Sequence, residues 1–100
     1  MLTAAMKEKR PMILVFGADW SGDTAIMFSM MERLSQDISQ DIEFFRVNIE
    51  KQKKIANFFG ISTIPTTVML KNGEVAALIN GFLPAKKMGE KIREVYFVRD

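Results

Sequence analysis

The sequence predicts an α/β fold with a mixed central β-sheet of about four strands, flanked by helices on both faces. Short apolar runs alternate with segments of helical periodicity in the first half of the chain, which is typical of parallel strands joined by helices. An Asn72-Gly73 pair then separates two more apolar runs, which indicates an antiparallel hairpin. The 100 residues are 48% hydrophobic, enough for one core, so we expect a single domain over residues 1–100.

The first strand and the first long helix are predicted on either side of a loop at residues 17–22. Residues 12–16 are all apolar, as in a strand that is covered on both faces. Beyond the loop, apolar residues recur at helical spacing and predict a helix with one buried face. The residues predicted on that face are Ile26, Met27, Met30, Met31, Leu34 and Ile38. Ser21 or Asp23 is expected to cap the helix.

A second strand and a short helix are predicted next. Residues 42–49 are rich in Phe, Val and Ile, which favours a strand. Residues 50–59 predict a helix that ends at Gly60. The side chains expected to face inward from this helix are Ile55, Phe58 and Phe59.

The remaining elements are the hairpin and a last helix. Residues 66–70 and 75–79 predict the hairpin strands, and Pro84 opens the final helix. The apolar side of that helix is predicted to consist of Met88, Ile92, Val95 and Tyr96. Residues 3–10 predict a short helix, and because only about ten residues precede the first predicted strand, we do not expect an extra N-terminal edge strand.

The composition excludes several classes of function. Without cysteine or histidine the chain lacks thiol chemistry, the usual zinc ligands and any Ser-His or Cys-His nucleophile pair, so we expect no metal and no cofactor. The net charge of +2 arises from scattered charges, and we expect no nucleic-acid surface. No apolar run has the length of a signal peptide or a membrane span, so we expect a soluble, cytoplasmic protein. The eight methionines are interpreted as core residues rather than metal ligands.

Four short motifs, in this order and spacing, carry a resemblance to the thioredoxin family over nearly the whole chain. They are Ala-Asp-Trp-Ser-Gly-Asp-Thr at 18–24, Ile-Pro-Thr at 64–66, Lys-Asn-Gly-Glu at 71–74 and Asn-Gly at 80–81. The resemblance implies the thioredoxin fold, with the Trp20 loop, the Pro65 turn and the Gly81 turn converging on one surface groove. It also implies a cis peptide bond before Pro65, with Ile64 presenting its backbone N–H and C=O to an extended peptide.

The chemical site of the family is replaced in this sequence. Thioredoxins have Cys-Gly-Pro-Cys after the tryptophan, and a thiolate at the helix N-terminus attacks a substrate disulfide. Here Ser21 and Thr24 stand at the two cysteine positions, Asp23 replaces the proline, and Val15 replaces a buried aspartate. The resemblance therefore implies a redox-inactive member. Loss of all four features favours a site retired in the natural protein over a pair of laboratory substitutions.

Several of these residues also have purely structural interpretations. Ser21 and Asp23 can serve only to stabilise the helix N-terminus. Trp20 can be a packing aromatic, and Pro65 can serve only to shape its turn. At Gly81 the missing side chain permits close backbone approach at the groove, and a simple bulge explains it equally well.

We expect a domain that binds a protein or peptide partner in the former substrate groove, as an adaptor, a chaperone-like factor or a subunit. The groove candidates are Trp20, Ser21, Gly22, Asp23, Ile64, Pro65 and Gly81. One alternative is a structural subunit that self-associates through the exposed sheet edge or the methionine-rich helix. Another is an enzyme of unrelated chemistry, for which only Ser21, Asp23 and Thr24 form a polar cluster. A disulfide oxidoreductase is not expected, since the fold alone does not warrant that function.

Overall fold

The computed structural model describes residues 2–38 and 41–97. In chain order the elements are α1 (Leu2–Lys7), β1 (Met12–Gly17), α2 (Gly22–Asp37), β2 (Glu43–Asn48), α3 (Lys53–Phe58), β3 (Thr66–Lys71), β4 (Glu74–Asn80) and α4 (Ala85–Tyr96). The strands form one sheet in the order β2-β1-β3-β4. Strand β1 runs parallel to β2 and antiparallel to β3, which is antiparallel to β4. The predicted α/β class and mixed sheet are confirmed.

Strand β1 is buried along its whole length because helices cover both faces of the sheet. Ile13 and Val15 lie in a core that buried residues of α2 and α4 complete. Leu14 and Phe16 face the other way, into a core that receives Ala56 from α3 and is flanked by α1. Successive side chains of a strand point to opposite faces, so a fully apolar run is what this central position requires.

The methionines fill these cores, as predicted. The buried methionines of the described residues are Met12, Met27, Met30, Met31, Met69 and Met88. Three of them come from α2 and are packed against the sheet. The methionine-rich face of α2 is therefore occupied inside the protein and is not available for self-association.

Helix α2 buries a different stripe from the one predicted at its first turn. Ile26 is 55% exposed, although the spacing placed it on the buried face. Its neighbour Met27 is fully buried and leads the stripe that continues through Met30 and Met31. Since successive helical residues are about 100° apart, Ile26 lies at the margin of the face that the sheet selects.

The segment after β2 departs from the predicted helix start. Helix α3 begins at Lys53 rather than at residue 50. The Asn48 side chain causes the delay, because its Oδ1 accepts hydrogen bonds from the backbone N–H groups of Glu50 (2.9 Å) and Lys51 (3.3 Å). Asparagine side chains that bind the backbone two residues ahead form such turns.

The prediction that Phe58 faces inward is wrong. Phe58 is 70% exposed, and its ring packs edge-on against Phe59 with centroids 4.9 Å apart. Phe59 is half-buried and contacts Phe16 in turn, at 5.8 Å. A helix of six residues presents only a narrow face to the sheet, and Phe59 and Ile55 already fill it.

The hairpin of β3 and β4 is confirmed. Asn72 and Gly73 both have positive φ, 57° and 80°, as the tight turn that Asn-Gly favours requires. Strand β4 carries a bulge, because Met69 pairs with Ala77 but Leu70 pairs with Val75. Ala76 is thus an extra residue on β4.

Strand β2 forms the other edge of the sheet. Helix α1 precedes β1, and no strand lies beside β2 within the described ranges, in agreement with the argument against an N-terminal edge strand.

No helix of residues 2–38 or 41–97 has the length and apolarity needed to cross a membrane.

Helix α4 is fastened to the sheet by the hydroxyl of Tyr96. This oxygen lies 2.9 Å from the carbonyl oxygen of Met12 and 2.9 Å from that of Leu70. Burial raises the pKa of Tyr96 well above its usual value, against a smaller lowering effect of the hydrogen bond to Leu70. The phenol therefore stays protonated, and its single O–H proton is shared between the two strand carbonyl oxygens.

We expect Tyr96→Phe to lower the free energy of unfolding by about 1–2 kcal/mol at pH 8, because two buried strand carbonyl oxygens lose the hydroxyl proton that they share. In the parent protein this contribution is complete below the unfolded tyrosine pKa of about 10. It is lost as the pH rises toward the higher folded-state pKa. Urea unfolding of both proteins measures the difference, which should shrink above about pH 10. A difference that stays constant up to about pH 11 would contradict this role of Tyr96.

Candidate functional site

Three loops meet at one end of the sheet, where strands stop or begin. Strand β1 ends there at Gly17, β3 begins there at Thr66, and β4 ends there at Asn80. The strand pairings bring these ends together, since Phe16 pairs with Thr66 and Thr66 pairs with Asn80. The loop with Trp20, the turn with Pro65 and the turn with Gly81 are therefore attached to adjacent strand ends.

Two of these loops are tied together directly. The peptide bond between Ile64 and Pro65 is cis, and Pro65 is buried. The carbonyl oxygen of Pro65 accepts a hydrogen bond of 2.7 Å from the N–H of Gly81. The Thr66 hydroxyl adds contacts with the Thr63 carbonyl oxygen and, at 3.2 Å, with Oδ1 of Asn80. The Pro65 and Gly81 turns thus form one hydrogen-bonded unit.

The glycine at position 81 is explained by its backbone conformation. Its φ is +86°, in the region that residues with a side chain rarely adopt. A Cβ atom at this position would meet no atom within 4 Å. The reason for glycine is therefore the turn itself, and not a close approach of another chain segment within the domain.

Ser21 is the N-cap of helix α2, which begins at Gly22. The Ser21 hydroxyl oxygen accepts a hydrogen bond of 3.2 Å from the N–H of Thr24, as the capping prediction requires. Asp23 is exposed in the first turn, where the attraction between its negative charge and the positive end of the helix dipole stabilises the helix. Gly22 is exposed as well. Of the two predicted capping residues, Ser21 is the one that caps.

Thr24 has a structural role that the sequence did not suggest. It is buried, and its hydroxyl oxygen accepts a hydrogen bond of 3.3 Å from the N–H of Ala18. A Cβ atom on Gly17 would overlap the Thr24 side chain. Gly17 therefore leaves the space that Thr24 fills. The available signal was a glycine at the end of an all-apolar run.

The surface of the site combines an exposed aromatic ring with unpaired backbone groups. Trp20 is 70% exposed. Ile64 is half-buried, and its backbone N–H and C=O have no hydrogen-bond partner among the described residues. Backbone groups of this kind bind a strand-like peptide or water.

Val15 and Thr67 form a cross-strand pair of β1 and β3, next to the pair of Phe16 and Thr66 at which the site begins. Both are buried, and the Thr67 hydroxyl has no hydrogen-bond partner among the residues that the structure describes. Val15 supplies only apolar surface at this position, so no carboxylate is available here to move a proton. Because Ser21 and Thr24 already bind backbone N–H groups, the polar cluster consists of helix-capping and loop contacts.

A sequence model of the family described as thioredoxin matches residues 2–94. The chain belongs to the thioredoxin family. Chloroplastic thioredoxin Y of Oryza sativa subsp. japonica is 29% identical over 86 residues, which are 86% of this chain and 51% of that protein. Thioredoxin of Bacillus subtilis is 27% identical over 79 residues, which are 79% of this chain and 76% of that protein.

The fold agrees with this assignment. A mutant thioredoxin from Halobacterium salinarum NRC-1 superimposes with a TM-score of 0.87 at 18% identity, over 99% of this chain and 86% of that chain. The chain spans about half the length of the chloroplastic thioredoxin Y it matches. It contains no cysteine, so it has no thiol with which to form a mixed disulfide, and the disulfide-reducing chemistry of thioredoxins is not available to it.

Proposed function

We propose that this redox-inactive thioredoxin-family domain binds an extended protein or peptide segment in the groove formed by Trp20, Ile64, Pro65 and Gly81. It acts there as an adaptor or chaperone-like factor in the cytoplasm. The observation that carries the proposal is the Ile64 backbone, which has no hydrogen-bond partner within residues 2–38 and 41–97 and lies at the same end of the sheet as the exposed ring of Trp20. An extended segment that pairs with Ile64 satisfies its N–H and C=O, and Trp20 offers apolar area to the segment's side chains.

The state of the former cysteine positions favours binding over catalysis. The hydroxyl of Ser21 caps helix α2, and the hydroxyl of Thr24 is buried against Ala18. The sequence contains no histidine that could activate either of them. The groove therefore keeps recognition groups without an activated nucleophile.

The single tryptophan of the chain makes the test direct. We expect a peptide array to yield extended peptides that change the fluorescence of Trp20 when they bind. Trp20→Ala should weaken the binding of a labelled peptide by about tenfold or more, measured by fluorescence anisotropy. Dithiothreitol should have no effect on the affinity.

Phe58→Ala is the matched control, because Phe58 is also an aromatic residue with 70% exposure but belongs to α3. It should bind as tightly as the parent. Equal affinities of the Trp20→Ala and Phe58→Ala variants, both folded by circular dichroism, would show that partners use another surface.

A further inference from the structure

The edge of strand β2 presents backbone groups that are unpaired within the described part of the chain and that do not belong to the groove. The N–H of Glu43 donates to the Pro11 carbonyl (3.1 Å) and that of Ile49 to the Gly17 carbonyl (3.0 Å), both along β1. Backbone groups alternate in direction along a strand, so those of Phe44 and Arg46 point away from β1. They have no hydrogen-bond partner within residues 2–38 and 41–97.

The two edges of the sheet are protected to different degrees. Strand β4 carries the bulge at Ala76, a common device against pairing with another chain. Strand β2 has no bulge in its pairing with β1, and its six residues include neither proline nor lysine. Among the contacts of residues 2–38 and 41–97, the outward N–H of Asn48 is the one that is protected, because it donates to Oε1 of Gln52 at 3.2 Å. The open stretch is therefore centred on Phe45.

A cleft of about 160 Å³ runs beside this edge, between β2 and α2. Phe44 and Arg46 line it from the strand, and Glu32 and Phe28 line it from the helix. The Arg46 guanidinium lies 5.7 Å from the centre of the Phe28 ring. The cleft thus offers one cation, one carboxylate and aromatic surface on the same face.

We infer that β2 pairs with β2 of a second copy of this chain, antiparallel and across a two-fold axis at Phe45. This register pairs the outward backbone groups of Phe44 with those of Arg46 in the second copy, and the reverse. The side chain of Arg46 then enters the cleft of the other copy, toward Glu32. A two-fold axis makes each favourable contact twice, which suits a surface with one group of each sign.

The alternative registers are less favourable. Centring the axis on Arg46 places like charges directly opposite each other, which destabilises strand pairs. Centring it on Phe44 leaves the outward groups of Arg46 opposite Ile42, which precedes the strand. An axis at Phe45 pairs the outward backbone groups of both Phe44 and Arg46. None of these residues belongs to the groove.

Sedimentation velocity between about 10 µM and about 1 mM tests the dimer, together with amide hydrogen exchange at both limits. We expect a concentration-dependent dimer in which the Phe44 and Arg46 amides exchange at least about tenfold more slowly. A monomer at the highest concentration overturns the inference. A dimer in which these two amides exchange at the monomer's rate also overturns it, and indicates another face.

Arg46→Pro removes the outward N–H without touching the bonds to β1, and Arg46→Ala is its matched control. We expect the proline variant to dimerise at least about tenfold more weakly than the alanine variant. Equal dissociation constants would contradict strand pairing.

A charge exchange tests the register and covers the case in which the proline variant does not fold. Arg46→Glu alone should weaken the dimer by at least about tenfold, because two carboxylates then meet. Adding Glu32→Arg should restore the dissociation constant to within about threefold of the parent's. Failure of this rescue, in variants that remain folded, would overturn the proposed pairing of Arg46 with Glu32.

Discussion

Ser21→Cys combined with Thr24→Cys should give a protein that forms one intramolecular disulfide under mild oxidation, without loss of structure. Ser21 is the N-cap of α2, and its hydroxyl oxygen already lies 3.2 Å from the backbone nitrogen of residue 24. The Thr24 side chain points back toward Ala18, on the same side of the helix start. Two sulfur atoms at these positions should meet the distance requirement of a disulfide.

Mass spectrometry and thiol titration measure the outcome. Ser21→Cys with Ala25→Cys is the matched control, because Ala25 is exposed and lies about 100° further around the helix. The control should keep two free thiols within the protein. If the variant with cysteine at 21 and 24 also keeps them, the two side chains are not juxtaposed.

The disulfide should bring back only weak reductase activity. The parent should reduce insulin no faster than buffer, because it has no thiol. In the double-cysteine variant, Asp23 places a negative charge beside the new thiolate and should raise its pKa. Adding Asp23→Pro should therefore increase the insulin reduction rate, and an unchanged rate would contradict this electrostatic account.

Val15→Asp should lower the free energy of unfolding by about 3 kcal/mol at pH 7, because the carboxylate would be buried in an apolar core. Burial should raise the pKa of this aspartate in the folded state. The destabilisation should therefore be smallest at low pH, where only the cost of burying the neutral carboxyl group remains, and should grow as the pH rises from about 4 through the folded-state pKa. Urea unfolding between about pH 4 and about pH 8 measures it.

Val15→Asn is the control, since asparagine has nearly the same shape as aspartate and its side chain does not titrate. Its loss of stability should not depend on pH in the same way. Thr67 supplies a second check, because its free hydroxyl can bond to the new carboxyl group. Thr67→Val should be nearly neutral alone and should deepen the loss caused by Val15→Asp. Additive effects of the two changes would contradict contact between residues 15 and 67.

The sheet and its order of elements could be predicted because the decisive signals are local. An all-apolar run marks β1, and the Asn72-Gly73 pair marks the hairpin. The errors arise where tertiary packing chooses among apolar residues. Ile26 and Met27 are both suitable for a buried face, and only the position of the sheet decides that Met27 is inside. Phe58 fails for the same reason, since α3 presents only a narrow face to the core.

The convergence of the three loops could be predicted for a different reason. The site residues come from three loops distant in sequence, and the family resemblance, not local periodicity, brought them together. Contacts between the loops lay beyond that resemblance. The bond from Gly81 to Pro65 and the fit of Thr24 over Gly17 depend on three-dimensional placement. The position of β2 at one side of the sheet, with no neighbouring strand in residues 2–38 and 41–97, likewise follows from the strand order, which a hydrophobic pattern does not specify.

The hydrogen bond between Gly81 and the Pro65 carbonyl bears on the thermodynamics of recognition. It joins two loops that are also connected next to this bond, where Thr66 of β3 pairs with Asn80 of β4. In the proposed binding mode, this bond holds both loops together before a segment binds, so the conformational entropy lost on association should fall mainly on the segment. The stiffness of the segment, more than any adjustment of the protein, should then govern the affinity.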